Sequence, residues 1–133
     1  MGWFRREPGR FQTAEEYRRN LETQLALTPK TLAELRKLGV TKDRKFKLEY
    51  FFYTNAEAKA GALSRALTEL GYEGDFGRAA KDRHKFIING WTTSMRMDDA
   101  TVLAWTRRMC ELGESTDCDF DGWGTNPNQD GVE

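Results

Sequence analysis

Three carboxylates at alternate positions near the C-terminus are the clearest candidates for chemistry in this sequence. Asp117, Asp119 and Asp121, followed by Gly122, match the first half of a calcium-binding loop, D-x-D-x-D-G. A complete EF-hand loop also needs a bidentate Glu at its twelfth position and a helix that continues from there. Counted from Asp117, that position holds Asn128. Calcium binding by the three aspartates therefore stays an alternative function, and we expect no dedicated metal site.

The same spacing also predicts a β-strand with its acids on one face. Successive side chains of a strand point to opposite faces, so Asp117, Asp119 and Asp121 would face solvent while Cys118 and Phe120 face the core. Three outward carboxylates repel each other only weakly in water, and they discourage edge-to-edge aggregation. We expect this strand at residues 116–123.

The residues after the acids predict a turn. Gly122 and Gly124 flank Trp123, a pattern expected where the backbone changes direction at the end of a strand. We favour burial of Trp123 as a lid on the core, because large aromatic side chains contribute most when they are buried. An exposed Trp123 that anchors a partner is the alternative.

The hydrophobic pattern of the chain predicts one α+β domain behind an N-terminal extension. Residues 1–12 show no period and are interpreted as a flexible basic arm, and residues 127–133 as a polar tail. Residues 13–39 predict two amphipathic helices, the second beginning at Thr28-Pro29. Residues 44–126 predict the order strand, helix, strand, strand, helix, strand. This order is typical of a ferredoxin-like fold, with an antiparallel sheet and helices on one of its faces.

Charge is unevenly distributed, although the formal net charge of the 133 residues is zero. Residues 1–47 carry 12 Lys/Arg and 6 Asp/Glu, which gives +6, and residues 98–133 carry 2 and 9, which gives −7. Such asymmetry suits an anionic partner at one end and a cationic partner at the other, or two solvated patches that attract each other.

The residue types do not form a pattern typical of an enzyme. His84 is the only histidine, and no Ser, Cys or carboxylate stands at a spacing that suggests a catalytic triad. The glycines are not grouped into a phosphate-binding loop, so no cofactor is expected. Cys110 and Cys118 are interpreted as buried free thiols. Without a leader-like N-terminus or an apolar run long enough to span a bilayer, the chain is expected to be cytoplasmic.

RNA binding by the open face of the sheet is the strongest alternative. Cations and aromatic rings that would share this face combine as they do on RNA-binding sheets: Lys45, Lys47, Phe51, Tyr53, Lys85, Ile87 and Trp91. We prefer the interpretation that the two N-terminal helices cover the aromatic residues, because amphipathic helices need an apolar surface to pack against.

A family resemblance rests on the stretch that contains these acids. The segment "FDGWGT", Phe120 to Thr125, resembles the terminal signature of the RraB-like family, bacterial regulators of ribonuclease E activity. The "LGYEG" of Leu70 to Gly74 and the helix of residues 98–113 before an acidic strand are also similar. The resemblance covers about residues 44–126. The chain differs from the strongly acidic members of that family in being neutral overall.

The resemblance implies a ferredoxin-like fold and a regulatory role without catalysis. A member of this family would bind ribonuclease E through a non-catalytic region of that enzyme and restrain RNA turnover. On this basis we expect a protein partner, a basic segment of a ribonuclease, with no membrane involved. The expected binding residues are those of the last strand and its turn: Asp117, Asp119, Asp121, Gly122, Trp123 and Gly124.

Overall fold

The computed structural model describes residues 9–129, which form three helices and six strands. In chain order the elements are α1 (Ala14–Lys37), β1 (Lys45–Phe46), β2 (Glu49–Thr54), α2 (Glu57–Glu69), β3 (Glu73–Arg78), β4 (Phe86–Trp91), β5 (Met95–Arg96), α3 (Asp99–Thr116) and β6 (Asp119–Gly124). All strand pairs are antiparallel. The α+β class predicted from the sequence is confirmed. No helix in residues 9–129 has both the length and the apolar character that crossing a bilayer requires.

The main sheet contains four strands in the order β3-β4-β2-β6. The strand predicted over residues 44–54 is divided in two, because Lys45–Phe46 pairs with Met95–Arg96 in a separate ribbon while Glu49–Thr54 joins the main sheet. The inside-outside alternation nevertheless continues through the division, since Phe46, Leu48 and Tyr50 are all buried. The sequence pattern therefore predicted burial correctly and missed the change of pairing partner.

One face of the main sheet forms the core with α2 and α3. From β2, Tyr50 and Phe52 point into this core, where they meet Ile88 of β4 and Phe120 of β6. The rings of Phe52 and Phe120 are 5.1 Å apart between centroids. The odd-numbered residues of β2 and β4 point to the opposite face, which we call the open face.

The N-terminal extension is one helix, so the prediction of two helices is wrong. The predicted capping box at its start is confirmed, with Thr13 and Glu16 bonding each other's backbone N–H groups. Pro29 lies inside α1 and removes one helical hydrogen bond there. The helix continues because Leu32 and Leu35, beyond the proline, are buried in the same core as the rest of the chain.

The packing of α1 also differs from the prediction. It lies on α3 and along the edge of β6 instead of covering the open face. Asn20 Nδ2 donates to the Phe120 carbonyl at 2.9 Å, so α1 satisfies part of the β6 edge that would otherwise have no pairing partner. Only the flank of α1, at Leu27 and Thr31, comes beside Phe51 of the open face.

Candidate partner-binding groove

Asp117 ends α3 and does not belong to the last strand. It is the C-cap residue of α3, in the left-handed region at φ 57° and ψ 45°, and β6 begins at Asp119. Asp tolerates this conformation better than most residues because its short side chain bonds locally. The side chain of Asp117 is buried. The prediction that it faces solvent beside Asp119 and Asp121 is therefore wrong.

The carboxylate of Asp117 is a hydrogen-bonding centre between distant parts of the chain. It accepts from Lys59 Nζ at 2.7 Å, from the Tyr17 hydroxyl at 2.8 Å and from the Phe11 N–H at 2.6 Å, with a longer bond of 3.4 Å from the Gln12 N–H. Burial alone would raise its pKa. The Lys59 ammonium and the other donors outweigh burial and hold the pKa of Asp117 at about 2.

Residues 9–12 form a short segment held by this centre, which we call the N-terminal strap. Besides the two bonds to Asp117, the Gly9 carbonyl accepts from Lys59 Nζ at 2.9 Å and from Asn55 Nδ2 at 3.0 Å. This part of the arm predicted to be flexible is therefore anchored. Residues 1–8 of that arm lie outside the described residues, as do residues 130–133 of the predicted tail.

Both Asp119 and Asp121 belong to β6. Asp119 precedes a change in register of the pairing with β2, and Asp121 lies at that change. Tyr53 pairs with Asp119, Phe52 with Phe120 and Phe51 with Gly122, so Asp121 is the additional residue of a β-bulge. Gly122 has a φ of 126°, which favours glycine at this position. The glycine pattern thus marked a bulge within the strand, and Gly124 ends it.

The two acids line a cavity of about 630 Å³ on the open face, which we call the acidic groove. Its floor includes Tyr53 and Ile87, and Asp119 and Asp121 lie beside them. The remaining walls come from the strap and from the loop before β4: Phe11, Gln12, Ala79, Ala80, Lys81, Asp82 and Lys85. Asp121 also borders a smaller hollow of about 260 Å³ together with Leu27 and Phe51. Asp121 therefore lies between two neighbouring depressions.

The negative charge of the acidic groove is poorly compensated. Neither Asp119 nor Asp121 forms a salt bridge with a cation of residues 9–129. The Oδ1 atom of Asp119 is buried and accepts no hydrogen bond. Burial, reinforced by repulsion from Asp121, raises the pKa of Asp119 to about 6, although Gln12 and Lys85 act in the opposite direction. Burial also raises the pKa of Asp121.

Trp123 lies against the core, in agreement with the lid interpretation. Its indole stands at 84° to that of Trp105, with 6.2 Å between ring centroids, and its Nε1 donates to Thr28 Oγ1 at 3.0 Å. Thr28 Oγ1 is also 2.8 Å from Thr106 Oγ1. The side chain of Trp123 is thus fixed between α1 and α3, and it does not project as an exposed anchor.

The candidate RNA-binding residues do not all share one surface. The register places Phe51, Tyr53, Ile87 and Trp91 on the open face, and Lys85 borders the acidic groove. Lys45 belongs to the separate β1-β5 ribbon, and Lys47 lies between β1 and β2, where its carbonyl accepts from Thr125 and Gln129. The open face also carries acids at the positions paired with or next to these aromatics: Glu49, Glu73, Asp75 and Asp119.

The three carboxylates of the incomplete calcium motif, Asp117, Asp119 and Asp121, do not come together around one point. The oxygens of Asp117 already bind Lys59, Tyr17 and the strap. Across the described part of the chain, no three His, Cys, Asp or Glu side chains come close enough together to hold a metal ion. Cys110 and Cys118 are free and buried, and burial raises the pKa of the Cys110 thiol to about 12. Neither thiol is therefore ionised at neutral pH.

Comparison with protein families gives one match. The model of the family RraB, regulator of ribonuclease activity B, matches residues 26–125, which include all of the main sheet and the acidic groove except the strap. The chain belongs to the RraB family. The match begins inside α1, upstream of residue 44, so the second half of α1 is part of the region that resembles other RraB members. A search of curated proteins found no match.

The description of the family is that of a regulator of ribonuclease activity. The reasoning from sequence selected Asp119 and Asp121 within this groove, but it missed Phe11, Gln12 and the anchoring role of Lys59. The sequence pattern ended this helix at residue 113, whereas α3 continues to Thr116, so the cap position of Asp117 had no signal in the hydrophobic pattern.

Proposed function

We propose that this protein restrains a ribonuclease of the ribonuclease E type by binding a basic, arginine-rich segment of that enzyme in the acidic groove. The proposed setting is the bacterial cytoplasm. We further propose a ferredoxin-like fold for residues 44–126, because the strand order β3-β4-β2-β6 places the first and third strands of the main sheet at its centre. Regulation would then depend on how much of the ribonuclease segment is bound in the groove, with no chemical step.

The observation that carries the proposal is the pair Asp119 and Asp121, which lies beside an aromatic ring and forms no salt bridge with a cation of residues 9–129. An arginine side chain can stack its planar guanidinium on Tyr53 while it donates to both carboxylates. A bound guanidinium would also supply the direct ion pair that Asp119 lacks among residues 9–129, where Lys85 acts on it only at longer range. Buried groups with displaced pKa values tend to occur at functional sites, which supports the choice of this groove.

Phe51 and the smaller hollow extend the surface available to a peptide. Leu27, which is 45 % exposed, and Phe51 lie on the α1 side of Asp121, so apolar surface continues past the acids. A segment that alternates arginine with apolar residues would match this order of groups. Complementary charge would mainly accelerate association and select among partners, while the apolar contacts would supply affinity.

Direct RNA binding by the open face is the second candidate. It is favoured by the shared placement of Phe51, Tyr53 and Trp91, because aromatic side chains can stack on bases. The acids Glu49, Glu73 and Asp119 on the same face oppose it, because they repel phosphates. The affinity of an RNA complex would fall steeply with salt, since neutralised phosphates release their counterions. Filter binding of a single-stranded RNA across salt concentrations separates this candidate from the first.

The first candidate is tested with the variant Asp119→Lys/Asp121→Lys. We expect it to lose capture of an arginine-rich ribonuclease segment and to lose restraint of RNA cleavage by that ribonuclease. The matched control is Glu111→Lys/Glu114→Lys, which makes the same change of charge on the exposed side of α3. Far-UV circular dichroism verifies that both variants fold. Capture that is equal in both variants would remove the acidic groove from the proposal.

A further inference from the structure

The N-terminal strap lies on the groove that the proposed partner would use. Phe11 and Gln12 line the cavity together with Asp119 and Asp121. The ring of Phe11 lies 5.9 Å from the Lys85 ammonium, measured to the ring centroid. The free protein therefore already places an aromatic ring and a cation within this acidic site. A guanidinium bound to Asp119 in this cavity would lie beside the strap.

The contact between the strap and Asp119 leaves two acceptors unsatisfied, although a Gln12 side-chain hydrogen bond lowers the pKa of Asp119. Gln12 Oε1 and Asp119 Oδ1 are both buried, and neither accepts a hydrogen bond. A neutral amide also brings no charge to balance the carboxylate. Buried acceptors without partners destabilise the arrangement that buries them. The strap therefore donates two backbone hydrogen bonds to Asp117, whereas its contact with Asp119 leaves an acceptor unsatisfied on each side.

Opening of the strap would leave no buried charge unpaired. When the Phe11 and Gln12 N–H groups depart, Asp117 keeps its bonds to Lys59 Nζ and to the Tyr17 hydroxyl. Asp119 would become accessible to a cation from outside. Departure of the whole strap costs the two backbone hydrogen bonds to Asp117 and the Phe11 contact, together with the Gly9 carbonyl bonds and the Arg10 contacts with Asp117 and Tyr17. It relieves the unsatisfied acceptors of Gln12 and Asp119.

We propose that the strap is an intramolecular competitor: it forms one wall of the acidic groove beside Asp119 in the free protein and is displaced by the basic segment of the partner. This inference rests on the proposed function, because it concerns regulation of the same groove. The observed Kd equals the intrinsic Kd divided by the fraction of molecules whose strap is open. Any change that favours the open strap therefore increases affinity without adding a contact to the partner.

The test measures binding of a fluorescein-labelled arginine-rich peptide by fluorescence anisotropy. Phe11→Ala removes the ring that lies beside Lys85, and we expect it to tighten Kd by about threefold to tenfold through a larger open fraction. Gln12→Ala should change Kd in the same direction. Leu38→Ala is the control, because Leu38 is 64 % exposed at the end of α1 and does not line the groove. We expect this control to bind as the wild type does.

Amide hydrogen exchange gives an independent measurement of the strap itself. The Phe11 and Gln12 N–H groups bond Asp117 in the free protein, so they should exchange faster when the peptide is bound. The strap proposal would be overturned if amide exchange were unchanged and Phe11→Ala bound the peptide no more tightly than the wild type. Loss of peptide binding in Asp119→Asn would still support the groove in that case. Absence of binding by both the wild type and Phe11→Ala would instead overturn the proposed function.

Discussion

Lys59 of α2 and Asp117 at the end of α3 form an ion pair with 2.7 Å between Nζ and Oδ2. The carboxylate is 8 % exposed, and the ammonium 22 % exposed. This pair connects the two core helices to the strap and to Tyr17 of α1. It therefore fixes the relative positions of the elements around the acidic groove without taking part in the proposed contact with a partner.

We predict that Asp117→Asn lowers the free energy of unfolding by about 1–3 kcal/mol at pH 7, because it leaves the partly buried Lys59 ammonium without its counter-charge. Asparagine tolerates the left-handed backbone, so the substitution isolates the effect of charge. Urea denaturation measures the change. Glu34→Gln, which breaks an exposed pair with Lys37, serves as control and should stay within about 0.5 kcal/mol of the wild type. Equal effects of the two substitutions would contradict a structural role for Asp117.

The same carboxylate predicts a loss of stability in acid. The pKa of Asp117 is lowered to about 2 in the folded protein, whereas an unfolded Asp titrates near its ordinary value of about 3.9. Its contribution is fully present above about pH 5 and is lost as the pH falls towards 2, about 2.5 kcal/mol in all. Unfolding of wild type and Asp117→Asn from pH 7 to pH 2.5 measures it. A difference between the two proteins that stays constant with pH would contradict this assignment.

For Asp119 we expect the opposite dependence of protein stability on pH. Its pKa is raised to about 6, so between about pH 4 and pH 6 the folded state binds more protons than the unfolded state and stability falls as the pH rises. We expect Asp119→Asn to stabilise the protein by about 1–3 kcal/mol at pH 7.5 and to have little effect at pH 4. Thermal denaturation at both pH values measures this. A destabilised Asp119→Asn at pH 7.5 would show that the carboxylate is compensated in the free protein.

The hydrogen bond from Trp123 Nε1 to Thr28 holds the indole in place, and a substitution of Thr28 tests its effect on stability. Thr106 donates to the Val102 carbonyl, so Thr28 donates to Thr106 and accepts from Trp123 Nε1. We expect Thr28→Val to cost about 1–3 kcal/mol, because the indole N–H loses its acceptor while the shape is kept. Thr31→Val, whose hydroxyl bonds only within α1, should change stability little. Peptide binding should survive in both variants, and its loss in Thr28→Val would restore Trp123 as a candidate anchor.

The close approach of β3 to β4 requires glycine at position 90 of β4. A Cβ at Gly90 would collide with the Glu73 carbonyl, the Gly74 Cα and the Tyr50 hydroxyl. We expect Gly90→Ala to destabilise by more than about 2 kcal/mol, because two of these three groups are backbone atoms and a rigid sheet cannot move them without strain. Gly124→Ala is the control, since a Cβ there meets nothing within 4 Å. Similar melting temperatures for the two variants would contradict this close approach.

The sequence predicted the α+β class, the core alternation of β2 and the inward Phe120, because these depend on local hydrophobic periods. It did not predict that α1 is continuous. The local pattern around Pro29 is typical of the first turn of a helix, and the helix continues through it because Leu32 and Leu35 are buried in the core. It misplaced Asp117 for a similar reason. A two-residue period fits Asp117 as well as Asp119, and only contacts with the distant Lys59 and Phe11 distinguish a cap from a strand.

The central claim, that Asp119 and Asp121 receive a cationic segment, is tested most directly by nuclear magnetic resonance. The isotopically labelled protein is titrated with an unlabelled arginine-rich peptide from a ribonuclease E-type enzyme. We expect the shift changes to concentrate at the amides of Tyr53, Ile87, Asp119 and Asp121, while the amides on the outer side of α3 stay unchanged. Saturable binding with shift changes confined to α3 and the outer side of α1 would contradict it.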